Sequence, residues 1–139
     1  MSLSLSARTA RMLAFSNAID ASGGGAVHLY GSNQPDSPEI AAFDAPLAIV
    51  ALAVPCGGVD VSDEGLVRLT LTHVSGVAAQ AGVARWGRIV DGAGNALYDA
   101  PAGLPEAALP FVVTDGRPTP SAQFYAGGAV NIVSAVWLE

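Results

Sequence analysis

The five residues Asp91-Gly92-Ala93-Gly94-Asn95 separate two apolar arms, and no other stretch restricts the fold as tightly. The arms run from Gly82 to Val90 and from Ala96 to Asp99. Glycine, aspartate and asparagine supply the backbone conformations that a tight reversal needs, and the flanks alternate as strands do. The segment Gly82–Asp99 therefore predicts a β-hairpin. A hairpin leaves unpaired edges, so the rest of the chain must supply strands to lie beside it.

The flanking sequence supplies them. Ala26–Tyr30 alternates, with Val27 and Leu29 on one side and His28 and Tyr30 on the other. Leu47–Val54 is apolar at every position, which predicts a central strand covered on both faces, with a short buried helix as the alternative. Pro55–Glu64 is turn-rich. Leu66–Val74 puts Val67, Leu69, Leu71 and His73 on one face and Arg68, Thr70 and Thr72 on the other. Ser75–Ala81 reads as a short connection and Gly31–Asp44 as a surface loop. Residues 100–123 form a proline-rich loop region in which Phe111–Thr114 is one short strand. Ala129–Leu138 alternates again and has no polar face. Ahead of the strands, Ser6 is positioned to cap a helix over 7–21 whose Leu5, Met12, Phe15 and Ile19 share one arc. Ser22-Gly23-Gly24-Gly25 ends it. Six to eight short strands and one N-terminal helix in 139 residues predict a single mainly β domain, a β-sandwich or jelly-roll-like fold.

Charge narrows the function. Twelve acids face six arginines, lysine is absent, and the net charge is −6 with a pI near 4.6. Nucleic-acid backbones attract basic surfaces, so direct nucleic-acid binding is not expected. The absence of lysine removes P-loop and Schiff-base chemistry. Only 13% of residues are charged while 51% are apolar, which suggests that part of the surface is covered by a partner or by copies of the chain. Arg8 and Arg11 interrupt the N-terminal stretch, and the apolar run Ala45–Pro55 is too short to span a bilayer. Neither a signal peptide nor a membrane span is expected, and synthesis in a cytoplasm is.

Candidate chemistry is sparse. His28 and His73 stand 45 residues apart in strand patterns, short of the three or four ligands that zinc requires. Cys56, the one cysteine, follows Pro55, precedes two glycines and reads as a small, partly buried side chain. Asp60, Asp63 and Glu64 lack the alternate-position oxygens of a calcium loop. No G-x-S-x-G elbow is present, and Gly23-Gly24-Gly25 lacks dinucleotide-fingerprint spacing. No catalytic, cofactor or metal residue is assigned. One constellation suggests recognition: Arg85, Trp86 and Arg88 bring together two residue types enriched at interface hot spots. The competing reading makes Trp86 core and the arginines its rim.

The order of elements resembles small structural proteins encoded beside the capsid genes of tailed bacteriophages, most of all head decoration (cement) proteins. The likeness rests on the helix, on Val27-His28-Leu29-Tyr30-Gly31, on the apolar strand Leu47–Val54 and on the Gly-Leu-Val-x-Leu strand at Gly65–Leu69. Ala84–Asp99 and the closing Gly127–Ser134 strand complete it. The resemblance implies a non-enzymatic virion component on the capsid surface, bound to the major capsid protein as a dimer or trimer of itself, without nucleic-acid or membrane contact. Such a protein tethers subunits across joints in the shell. Three alternatives stand beside it: a tail, neck or baseplate protein; a carbohydrate-binding sandwich module stacking sugars on Trp86, Trp137 or Tyr98; and an unrecognised hydrolase.

Overall fold

The computed structural model describes residues 3–61, 65–103, 111–114 and 123–138. Helix α1 spans Leu5–Asp20, followed by a 3-10 turn at Ala21–Gly23. Among the described residues nine strands follow: β1 Ala26–Tyr30, β2 Ala48–Val61, β3 Val67–Ala78, β4 Gly82–Val83, β5 Trp86–Val90, β6 Ala96–Gly103, β7 Phe111–Thr114, β8 Gln123–Phe124 and β9 Ala129–Leu138.

The hydrogen-bonded order is β1-β2-β3-β9-β7-β6-β5, and β5 pairs back onto β1. These pairings are antiparallel except β6 with β7. They make one curled sheet that closes on itself, where the strand spacing had suggested the two facing sheets of a sandwich or jelly roll. Closure gives each strand of the circuit a neighbour on both sides, though β7 meets only Ala102 and Gly103 of β6.

Alternation then sorts side chains between the inside and outside of the barrel. Val27, Leu29, Val50, Leu52, Leu69, Ile89 and Val130 are fully or almost fully buried and belong to one core. The helix closes one end. Met12, Ser16 and Ile19, one turn apart, are its buried face, and Met12 and Ile19 join that core. The helix packs on β2 and β3, and Phe15 meets the Tyr98 ring edge-on at 6.0 Å, on the far side of the circuit. Leu5, expected in the buried stripe, is 44% exposed because the first helical turn buries nothing. The cap is Ser4 and not Ser6: Ser4 Oγ accepts from the Ala7 amide at 3.1 Å. At the opposite end β4 pairs with β8, and Phe124 inserts into the core.

Strands β2 and β3 exceed their expected lengths. β2 continues through the cis Val54–Pro55 bond to Val61, where turns were expected. Its register with β3 shifts between Leu52 and Gly57, leaving extra residues bulged out. Two features accommodate the bulge. The displaced Cys56 amide donates to Asp20 Oδ1 of the helix at 2.8 Å, which replaces its ladder partner. Gly57 lies so close to β3 that a Cβ there would collide with the Thr70 carbonyl. β3 likewise runs on to Ala78 through the expected connection.

The hairpin forms from β5 and β6 with Asp91–Asn95 at its tip. Gly82–Val83, expected in its first arm, instead forms the separate strand β4. Phe111–Thr114 and Ala129–Leu138 are strands as expected. Residues 100–103 of the expected loop region belong to β6, while 104–110 and 115–122 lie outside the described residues.

Candidate functional site

One row of residues on the outer face organises the surface. The registers place Asp99 beside Arg88, Arg88 beside His28, His28 beside Ile49, Ile49 beside Val77 and Val77 beside Ala129. The row crosses six strands, β6-β5-β1-β2-β3-β9. Its first half is polar and covered. Its second half is apolar and bare.

The polar half holds the residues that the sequence marked for recognition. Arg88 donates from Nε to Asp99 Oδ1 at 2.7 Å and from Nη2 to Asp99 Oδ2 at 2.9 Å. The two side chains are 8% and 3% exposed. Arg88 Nη2 also donates to the Ile40 carbonyl at 2.7 Å, so the segment 31–46 crosses above this pair. The Asp99 hydrogen bonds raise the guanidinium pKa above its ordinary value. Next to Arg88, Trp86 stacks on Tyr30 with ring centroids 4.4 Å apart and planes 14° apart. The Arg88 guanidinium lies 5.4 Å from the centroid of the Trp86 ring. Trp86 is 1% exposed, and its Nε1–H has no acceptor among the described residues. A buried donor left without a partner costs about 1–3 kcal/mol.

This placement divides the expected interface trio. Arg85 is exposed, whereas Trp86 and Arg88 are interior. Their contacts run to Tyr30, Asp99 and the chain's own 31–46 segment, so neither side chain meets solvent. In this arrangement Trp86 offers no exposed face for a sugar, and Tyr98 is half-buried against Phe15. The side chain of Trp137 lies outside the described residues.

His28 sits between the two halves. Burial lowers its pKa from the ordinary value of about 6.5, and the Arg88 charge lowers it further. The fold therefore favours the neutral imidazole, while the unfolded chain takes up the proton first. The stability that this difference contributes is complete above about pH 6.5 and is lost as pH falls through the lower folded-state value. Urea midpoints are expected to be level near pH 7.5 and to decline towards pH 5, and His28→Gln is expected to flatten that decline. Asp60, Asp91 and Glu39 all have lowered carboxyl pKa values, so their titration falls below this window. An unchanged slope in His28→Gln would assign the decline to other groups.

Other sequence candidates resolve into structure. Asp91 Oδ1 accepts from the amides of Ala93 and Asn95, each at 2.9 Å, and Asp91 Oδ2 accepts from Asn95 Nδ2 at 3.1 Å. With Gly94 at φ +88°, the hairpin tip is a self-satisfied turn. Gly92 packs against the end of the helix, donating to the Ala21 carbonyl at 3.0 Å. Cys56 is fully buried in β2 against Ser16, and burial pushes its thiol pKa up, which suppresses thiolate chemistry. Asp60 forms an exposed two-point pair with Arg68 at 2.9 and 2.6 Å. Asp63 and Glu64 lie outside the described residues, as does the side chain of His73. Among the described residues no three His, Cys, Asp or Glu side chains gather as metal ligands. No described helix is long and apolar enough to cross a membrane.

The bare half was not foreseen. The face of β2 carrying Ile49 and Ala51 was expected to be covered, yet Ile49 is 51% exposed and its cross-strand neighbour Val77 is 60% exposed. Ala51 and Ala129 are exposed alongside them. Single exposed apolar residues are ordinary, but directly paired ones on a strand face form a continuous apolar surface. No charged residue enters this half of the row. No family model, curated protein or solved structure matches this chain.

Proposed function

We propose that this protein is a non-enzymatic structural component of a tailed-phage virion, a decoration protein that binds the outer surface of the major capsid shell and stabilises it. One observation carries the reading: the bare apolar row Ile49-Val77-Ala129 on the outer face of a closed barrel. Around Ile49 and Val77 both strands are paired on either side, so a partner meets side chains on the face there. The uncharged half-row is suited to the apolar centre of such a contact. The resemblance of the helix, strands and hairpin to decoration proteins points the same way, as does the acidic charge of a protein with no genome to touch. Binding across a joint between shell subunits adds a contact that must break before they part. Many copies, each with a modest interface, add up to a mechanically firmer shell. A small homo-oligomer on the capsid surface follows from the same reading.

The test begins with the gene neighbourhood, where a major-capsid gene is expected and its absence overturns the reading, and continues with co-sedimentation with shells assembled from that capsid protein. The wild-type protein is expected to pellet with the shells. Ile49→Glu/Val77→Glu is expected to remain in the supernatant while keeping its far-UV circular dichroism, because both side chains already face solvent. A wild-type protein that stays in the supernatant overturns the capsid reading. A double variant that pellets equally well moves the contact off this face. Quantitative mass spectrometry of virions separates decoration, with copies in the hundreds, from a tail or neck ring, with far fewer.

A further inference from the structure

We infer that residues 31–46 form a displaceable strap over the Tyr30–Trp86–Arg88–Asp99 cluster, able to lift while the barrel stays closed. This inference does not depend on the virion role. The strap leaves β1 at Gly31, has no strand or helix of its own and rejoins the sheet at Leu47, whose amide donates to the Leu29 carbonyl at 2.7 Å. Sixteen residues without regular structure are long for a connection inside a compact domain.

The strap's attachments explain why it would move alone. Its neck is closed by Ser32 Oγ donating to Asp44 Oδ1 at 2.7 Å, a bond within the strap. Gln80 Nε2 donates to the Pro46 carbonyl at 3.4 Å beside the neck, and away from it the described polar contact with the barrel is Arg88 Nη2 to the Ile40 carbonyl. The strap's two large apolar side chains do not hold it down: Ile40 is 43% and Phe43 67% exposed. Pro35 is its buried anchor. In the cluster, the Trp86 indole N–H lacks an acceptor among the described residues, a polar group that opening would hydrate. The pairings that close the barrel here, Tyr30 with Trp86 and His28 with Arg88, lie in the β1–β5 ladder and not in the strap. Lifting the strap therefore costs the Arg88–Ile40 bond and the cover over the cluster, and leaves the ladder whole. It would present an arginine and two stacked aromatics, the side chains that dominate protein interfaces.

Hydroxyl-radical footprinting across a urea series tests this on the unmodified chain, with amide exchange in the β1 and β5 ladders reporting on the barrel. Trp86 and Tyr30 oxidation is expected to rise several-fold at urea concentrations where the ladder amides remain protected. Ser32→Ala/Asp44→Ala, which opens the neck, is expected to move that rise to lower urea and to leave the ladder transition in place. Coincident loss of Trp86 protection and ladder protection in both proteins overturns the strap. So does a double variant whose ladder transition shifts as far as its Trp86 transition, since cover and barrel would then be one cooperative unit.

Discussion

Asp99→Ala is expected to lower the unfolding free energy by about 3–5 kcal/mol, the range for removing one partner from a buried ion pair. The magnitude follows from what remains. Arg88 would keep its place on the outer face of β5, 8% exposed, with two of its three hydrogen bonds gone and its charge uncompensated. The reverse experiment separates the value of the pair from the penalty of breaking it. Arg88→Met/Asp99→Leu removes both charges together and fills the space with apolar atoms. It is expected to be far less destabilised than Asp99→Ala and to approach the wild type. Urea unfolding with a common m-value measures both. A single-variant loss below about 1 kcal/mol would show the pair behaving as an exposed one. The Asp60–Arg68 pair supplies that comparison, with 55% and 40% of its side chains exposed.

Trp86→Ala is expected to cost about 3–5 kcal/mol, as large aromatic truncations in packed sites do. Its ring is 1% exposed and stacked on Tyr30, so truncation opens a void beside both Tyr30 and Arg88. Trp86→Phe is expected to lose less. It keeps an aromatic against Tyr30 and eliminates the Nε1–H that has no acceptor. Chemical denaturation of the two variants reads the difference. If Trp86→Ala stays within about 0.5 kcal/mol of wild type, Trp86 is a surface side chain and the interface reading of Arg85-Trp86-x-Arg88 returns.

That trio shows how far residue type leads. Arginine and tryptophan two apart on a strand share one face here, and Arg88 is turned to Asp99 and to the Ile40 carbonyl of the chain's own residues 31–46. The sequence contained one sign of that contact, the unusual length of the loop. That sign does not say where in space the loop lies. The apolar strand at Leu47–Val54 shows the converse. Apolar residues on both faces were expected to be covered on both, yet Ile49 and Val54 face outward and bare.

The sequence by itself determined what is local. The alternation of Val27 and Leu29, the turn at Asp91–Asn95, the helix and its stop at Ser22–Gly24 are set by backbone conformation and by side chains a few residues apart. Only the tertiary structure decided which side of each strand is covered, how β2 passes through Pro55 and Gly57, and that β5 returns to β1. A period of two says which residues share a face and is silent on what lies against that face. Closure and cover depend on pairings between residues distant in sequence, whose energies no local pattern contains. The candidate site lies on that non-local side: one row across six strands, half roofed by the chain itself and half left open.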